Sequence, residues 1–305
     1  MKKYHAIKSL TVLAAIFAIS ICSADNQKAA ARGQKVKKEF SVIDSIHYPD
    51  KEDLSLYGMK DYTIFYIAKI WPKLRKAGNV RPEPIPSDKR ITTLVKNKTA
   101  DKSPVIYDIE HWPLDIRKNV PRAAKDDLEA ANKKIVKASM DKMIRIIKTS
   151  KKVNPNVKYG YYSCIPLRDY WSPVNGDPVK IKEWQAANDY LQPLADSLDV
   201  ICPSLYTFYD NHASWQKYAK ANIAEAKRLA KGKPIYVYLW PKYHNSNKEY
   251  GNKFIDGDFW KLQLETVYNS GVDGIIIWDY SRGKAWNPQL PWWKETAAFL
   301  KRIKQ

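Results

Sequence analysis

The sequence predicts a single-domain α/β protein, a parallel (β/α) barrel of the TIM type with about seven strands. Three observations lead there. From about residue 60 onward, short runs rich in Ile, Val and Tyr alternate with longer amphipathic stretches, the mark of repeated β-α units. Several of those runs are apolar at nearly every position, as parallel strands covered on both faces must be. The sequence has no G-x-G-x-x-G and no phosphate loop, whereas a doubly wound sheet would usually carry a glycine-rich first turn.

The elements follow in order. Residues 1–24 place Lys2, Lys3 and Lys8 before an apolar run from Leu10 to Cys22 and the small residues Ser23 and Ala24. That order reads as a secretory signal peptide, and the apolar run is short for a membrane span. Ile21, bulky where a small residue would be expected, argues against lipid attachment at Cys22. Residues 25–55 open with the low-complexity basic stretch DNQKAAARGQKVKKEF and read as a flexible arm, which leaves 56–305 for the barrel. Strands are expected at 62–68, 91–95, 104–110, 157–163, 199–206, 234–240 and 273–280. Helices are expected at 122–151, 180–197, 213–231, 257–270 and 290–303. In the first helix Leu128, Val136, Met140, Met143 and Ile147 form one apolar stripe against a lysine-rich outer face. No later stretch is long and apolar enough to span a membrane, so the mature chain is expected to be secreted or periplasmic, and its plain MKK start is bacterial in style.

Charge narrows the partners without choosing one. The chain carries a formal +20, and loss of the three leader lysines leaves +17. Such a balance concentrates polyanions. Apart from the arm, the lysines lie mainly on predicted helix faces, and no nucleic-acid partner is expected. Cys164 and Cys202 are the two cysteines after the leader, too few for a disulfide framework, and either one bridge or two buried thiols fits their positions. The five histidines are scattered without zinc spacing, so no metal or other cofactor is expected.

In such a barrel, chemistry collects at the C-terminal ends of the strands. The run VIYDIEHWP, residues 105–113, puts Asp108 and Glu110 two residues apart at one such end. Period-2 geometry turns both to the same face, where like charge and desolvation should raise at least one carboxyl pKa. Alone, a D-x-E at a strand end is ordinarily a pair of acids reaching water. Here the other ends carry Tyr161 and Tyr162, Tyr206, Tyr238 with Trp240, and Trp278 with Asp279 and Tyr280. Two acids ringed by Tyr and Trp suit a carbohydrate, whose C–H faces stack on aromatic rings while its hydroxyls meet polar tips.

These residues resemble glycoside hydrolase family 56, the hyaluronidases. The family's D-x-E-x-W motif is similar to Asp108-Ile109-Glu110-His111-Trp112, and its W-G-Y-Y segment to Tyr159-Gly160-Tyr161-Tyr162. Its P-S-x-Y segment is similar to Pro203-Ser204-Leu205-Tyr206, its late aromatic strand to Tyr236-Val237-Tyr238, and its closing G-x-x-G-x-x-I-W to Gly271 through Trp278. The five segments keep the family's order over about residues 60–300. The resemblance implies a seven-stranded distorted barrel and retaining, substrate-assisted hydrolysis of an N-acetylhexosamine polymer such as hyaluronan or chondroitin. In that scheme the sugar's acetamido group replaces an enzyme nucleophile. It further implies Glu110 as acid and then base, and Asp108 as the group that orients the acetamide. Tyr161, Tyr206 and Trp278 would enclose the acetamide, with Tyr238, Trp112 and Tyr162 as further sugar contacts.

The chain also departs from that family. Pro113 follows Trp112 where an Arg is usual, the nearest basic residue downstream being Arg117. The family's cysteine pairs are missing, and Trp278-Asp279-Tyr280 replaces its Trp-Gly-Ser. Two other readings compete: a family 18 chitinase-like hydrolase, whose D-x-x-D-x-D-x-E run is absent before Glu110, and a silent barrel that binds acidic glycans.

Overall fold

The computed structural model describes residues 39–71, 85–98, 102–118 and 125–304. The signal peptide and most of the basic arm lie outside them. Among the described residues six strands are formed: β1 (Ser41–His47), β2 (Thr63–Tyr66), β3 (Val105–Asp108), β4 (Tyr159–Tyr161), β5 (Tyr236–Leu239) and β6 (Gly274–Tyr280). They lie in two all-parallel triplets, β1-β6-β5 and β2-β3-β4. A seventh stave joins the triplets on one side. Residues 201–204 make isolated parallel bridges, Cys202 to Tyr162 beside β4, and Ile201 to Ile235 and Ser204 to Tyr238 at β5. On the other side Ile43 of β1 bridges to Lys60, just ahead of β2, and the ring closes.

Two of the expected elements are corrected. The strand expected at 91–95 is instead helix α1 (Asp88–Lys98). Ile91, Leu94 and Val95 are buried while Thr93 is exposed, a spacing of three and four that belongs to a helix face rather than a strand. The β-branched composition suggested the wrong period. Conversely, residues 41–55 belong to the barrel rather than to an arm, because Ser41–His47 is the strand β1 paired along its full length with β6. Asp44 and Ser45 interrupt its apolar run, but Asp44 is employed locally: it accepts from the Ile46 amide at 2.9 Å and pairs with Lys51 at 2.5 Å. The two corrections cancel in the count, leaving seven staves.

Among the other helices, α2 (Lys125–Val153), α4 (Pro178–Tyr190), α5 (Gln192–Ser197), α6 (His212–Ala230), α7 (Gly257–Asn269) and α8 (Pro291–Ile303) fall close to expectation, while the short α3 (Trp171–Asn175) was not expected. One stretch expected as a single helix, 180–197, breaks at Leu191, where Pro193 follows in the first turn of α5. The stripe Val136, Met140, Met143 and Ile147 of α2 is buried. Asp177, Asn211 and Asp256 cap α4, α6 and α7 by accepting from the first-turn amides.

Strand alternation divides the apolar residues into two layers. Ile43, Ile106, Val200, Cys202, Tyr238 and Ile276 form a small cluster of their own, and a larger cluster holds their neighbours Val42, Tyr107, Ile201, Val237, Ile275 and Ile277 with the helices. The first set fills the barrel and the second packs its strands against the jacket. Gly160 lets the filling close, because a Cβ there would meet Val200 Cγ2 at 2.6 Å and the Val200 carbonyl at 2.8 Å. Cys164 and Cys202 are both buried free thiols, so the bridge left open by the sequence is not made. Among the described residues no helix is long and apolar enough to cross a membrane.

Candidate active site

The interior faces of the strands end in one open cleft. Its lining includes Asp108 and Glu110 from the end of β3, Tyr162 just after β4, Tyr206 after the seventh stave, Tyr238 and Trp240 at β5, and Trp278 and Tyr280 on β6. Each contributes from the C-terminal end of its strand, as the barrel geometry requires.

Asp108 is the deeper of the two acids and Glu110 is exposed at the cleft wall. Burial in this apolar setting pushes the Asp108 carboxyl upward, and the charge of Glu110 and a hydrogen bond with it push the same way, to about 7. Asp108 therefore holds its proton far above the ordinary carboxylate range.

The aromatic wall is tightly interlocked. Tyr206 stacks on Trp278 with centroids 5.9 Å apart and planes 22° apart, and Trp240 meets the Trp278 ring edge-on at 5.0 Å. Tyr162 meets Tyr238 edge-on at 4.8 Å and donates its hydroxyl to Ser204 Oγ at 3.3 Å. Tyr238 in turn donates to Tyr62, which lies 2.6 Å from Ser45. Burial pushes the phenols of Tyr162, Tyr206 and Tyr238 well up. They therefore stay neutral across the physiological range, able to donate a hydrogen bond without adding charge beside the acids.

Asp279 has a different role from the acids of β3. Its side chain turns away from the cleft, fully buried, and accepts from Tyr48 at 2.8 Å, Trp240 Nε1 at 2.9 Å and Lys242 Nζ at 2.6 Å. It anchors Trp240 against the cleft and ties the segment after β5 to β6.

Of the site residues expected from sequence, the structure brings together Asp108, Glu110, Tyr162, Tyr206, Tyr238 and Trp278. It does not bring Tyr161. The strand alternation turns Tyr161 outward, where its hydroxyl donates to the Met143 carbonyl of α2 at 3.0 Å and its ring packs on Tyr107. Its neighbour Tyr162 takes the inward position. Trp112 is also displaced from the main cleft. It is buried beside Trp71, with Lys142 5.2 Å over its ring, and lines an adjoining groove that shares Glu110 and Tyr162 with the cleft. Arg117 sits two residues from Asp115, to which it donates twice at 2.9 Å, and reaches Asp169 at 3.2 Å. Among the described residues it is employed in structure rather than at the acid pair.

Sequence reasoning missed Tyr66, His244 and Arg282. Tyr66 ends β2 as Asp108 ends β3, and its hydroxyl accepts from Trp278 Nε1 at 3.3 Å, so the strand-end rule reaches it. His244 and Arg282 come from loops beyond β5 and β6, where no strand period applies. Arg282 lies over the Tyr280 ring at 4.8 Å and donates to its hydroxyl. Burial and the nearby Arg168 guanidinium hold His244 below its ordinary value, which favours the neutral ring. Among the described residues, no group of three or more His, Cys, Asp or Glu side chains is gathered so as to hold a metal ion.

The hyaluronidase profile, that of glycoside hydrolase family 56, matches residues 98–289 of this chain, well over half of it. The chain is 28% identical over 172 residues to a hyaluronidase of the wasp Polistes annularis, covering 54% of this chain and 46% of that one. It is 27% identical over 172 residues to a hyaluronidase of Polybia paulista, covering 54% and 58%. The matched region thus spans about half the length of these curated relatives. Among solved structures, bee venom hyaluronidase in complex with a hyaluronic acid tetramer superposes with a TM-score of 0.61 at 18% identity, over 88% of this chain and 97% of that one. That likeness establishes a shared barrel fold.

Proposed function

The chain belongs to glycoside hydrolase family 56, and from that premise we propose that it cleaves N-acetylhexosaminidic bonds in an acidic polysaccharide of the hyaluronan or chondroitin kind, with retention at C1. The observation that carries this reading is the Asp108–Glu110 pair, two hydrogen-bonded carboxyls inside a cleft of neutral phenols and indoles. Asp108 holds a proton at neutral pH directly beside Glu110, the carboxyl placed at the cleft wall to pass one to a leaving oxygen.

The steps follow from the two positions. As the glycosidic C1–O bond breaks, the substrate's acetamide oxygen bonds to C1, and the leaving oxygen takes a proton from Glu110. Asp108 accepts from the acetamide N–H as a carboxylate, which leaves the pair's proton with Glu110 and opposes the positive charge that grows on the acetamide. Glu110, now a carboxylate, then removes a proton from water as that water attacks C1. The C1–O bond to the acetamide opens and the acetamide is restored. Because the nucleophile comes from the sugar, one strand end supplies both protein groups, and no second carboxylate across the ring is needed. Tyr162, Tyr206, Tyr238 and Trp278 supply the wall against which the acetamide is held.

The hyaluronic acid seen in the bee venom protein and the basic charge of this chain both support an acidic glycan. Export by the leader belongs to the same proposal. It rests on residues 1–24, and a mature form beginning near residue 25 in the medium or periplasm would check it. The test of the reaction is to incubate the protein with hyaluronan, chondroitin and chitin oligomers and measure new reducing ends, with Glu110→Gln and Asp108→Ala in parallel. Cleavage of at least one glycan is expected, lost in Glu110→Gln. Full activity in a folded Asp108→Ala protein would overturn acetamide assistance even if hydrolysis were real.

A further inference from the structure

Beyond the cleft, the catalytic end of the barrel carries a second aromatic surface. Among the described residues the two exposed large aromatic rings are Trp171, 53% exposed, and Tyr209, 41% exposed. They touch: their centroids are 5.0 Å apart. Trp171 opens α3 after the loop that follows β4, and Tyr209 lies in the loop between the seventh stave and α6. Both loops leave C-terminal strand ends, on the same side of the barrel as Glu110.

The surface is built rather than incidental. Beneath the two exposed rings lies buried Tyr170, at 5.0 Å from Trp171 and 4.9 Å from Tyr209. Its loop is fixed from below, since Asn222 of α6 donates to the Asp169 carbonyl at 2.8 Å and accepts from the Asp169 amide at 3.2 Å. Ser172 adds a bond to the Asp169 side chain at 2.9 Å. Rings held this way lose little freedom on binding, which is what a stacking surface needs.

It is also joined to the cleft by packed rings. His244 of the cleft lining packs on Phe208 at 4.7 Å, and Phe208 reaches Tyr170 at 6.3 Å. On Phe208 lies the Arg168 guanidinium, 4.7 Å from the ring centroid. Arg168 lines the groove that shares Glu110 and Tyr162 with the cleft, and among the described residues it has no carboxylate partner. A cation without an anion thus stands between the acid pair and two exposed rings.

We propose that Trp171, Tyr209 and Arg168 form an outlying sugar subsite, which stacks one pyranose ring of an acidic glycan and pairs its carboxylate while a bond elsewhere in the same chain lies at Glu110. The occupant follows from chemistry: flat rings take the C–H face of a sugar, the guanidinium takes a carboxylate, and Arg168 lines a groove that also holds Glu110. The subsite favours long chains over short ones, because a short oligomer seated at the acid pair does not reach it. The choice of an acidic glycan rests on the proposed hydrolase reading, and the test keeps the two apart by reading binding rather than turnover.

In the full-length Glu110→Gln protein, binding of hyaluronan oligomers of about four and of about twelve or more sugars is titrated by calorimetry, with a chitin oligomer beside them. Trp171→Ala and Tyr209→Ala, each added to that background, should weaken the long oligomer about fivefold to tenfold and shrink its advantage over the short one. Arg168→Gln should weaken hyaluronan more than chitin. Unweakened long-chain binding in both aromatic variants would overturn the subsite, and equal weakening of hyaluronan and chitin by Arg168→Gln would overturn its preference for acids. Absence of hydrolysis by the unsubstituted protein would sink the enzyme reading alone, while Trp171-dependent binding of long chains would still support the subsite.

Discussion

Two aspartates near C-terminal strand ends meet opposite fates. Asp279 on β6 is wrapped by a phenol, an indole and an ammonium, the last itself only 8% exposed. Asp108 on β3 is also deep, but its principal polar neighbour is another acid, and its proton affinity rises accordingly. Burial is common to both. The neighbours decide whether a buried carboxyl becomes a fixed anion that holds structure or a proton reservoir that serves chemistry.

Breaking the structural member should cost the most stability. Asp279→Ala leaves Lys242 buried without its counter-ion and Trp240 without its acceptor, and removal of one partner of a buried pair typically costs about 3–5 kcal/mol. A fall in the unfolding midpoint should accompany any loss of activity. A variant with unchanged thermal stability and selectively lost turnover would reverse the roles assigned to the two aspartates.

Next in size is the chemical member. Glu110→Gln should lose about a hundredfold or more in kcat, the range expected on removing a general acid, equivalent to about 2.7 kcal/mol or more. Its folding should be intact, since Glu110 is exposed at the cleft wall. A reducing-end assay beside circular dichroism checks both halves of the statement.

Asp108 joins stability to pH. Its folded pKa lies above the ordinary carboxylate value, so the folded state binds more protons than the unfolded one between about pH 4 and 7. Stability should therefore fall as pH rises through that window, and the penalty should be complete above 7. Asp108→Asn removes it, and the variant should be more stable than the parent above pH 7 by on the order of 2 kcal/mol, a difference that vanishes below pH 4. The same substitution should remove most activity. Thermal melts of both proteins at pH 4 and 8 separate these outcomes, and equal stability at both pH values would remove the case for a strained acid pair.

The contrast also shows what the residue pattern could convey. The alternation of β and α, six of the seven staves and the D-x-E pair were legible, because period and composition report burial directly. The phase of VKYGYYS was not, since Tyr161 and Tyr162 are the same residue type and either could face inward. Gly160 carries the missing information. It faces Val200 and Ile106 inside the barrel, so the residue two further on, Tyr162, shares that face. Strand β1 was obscured by Asp44 and Ser45, whose polar side chains are satisfied by a lysine and a tyrosine only once the chain has folded. Arg282 and His244 sit on loops, where position depends on contacts rather than on a repeat.

The two adjacent tyrosines should show the smallest and most specific effect. Tyr161→Phe removes a buried hydroxyl that donates to the Met143 carbonyl in the helical jacket, and about 0.5–1.5 kcal/mol of stability should go with it. Its effect should appear in the unfolding midpoint. Tyr162→Phe removes a hydroxyl inside the cleft that donates to Ser204, so its effect should appear in KM and kcat instead. The adjacent tyrosines thus exchange readouts across one strand. If Tyr161→Phe lowered kcat/KM at an unchanged midpoint while Tyr162→Phe left the kinetics alone, the inward face would be the other one, and the assignment of Gly160 as its marker would fail with it.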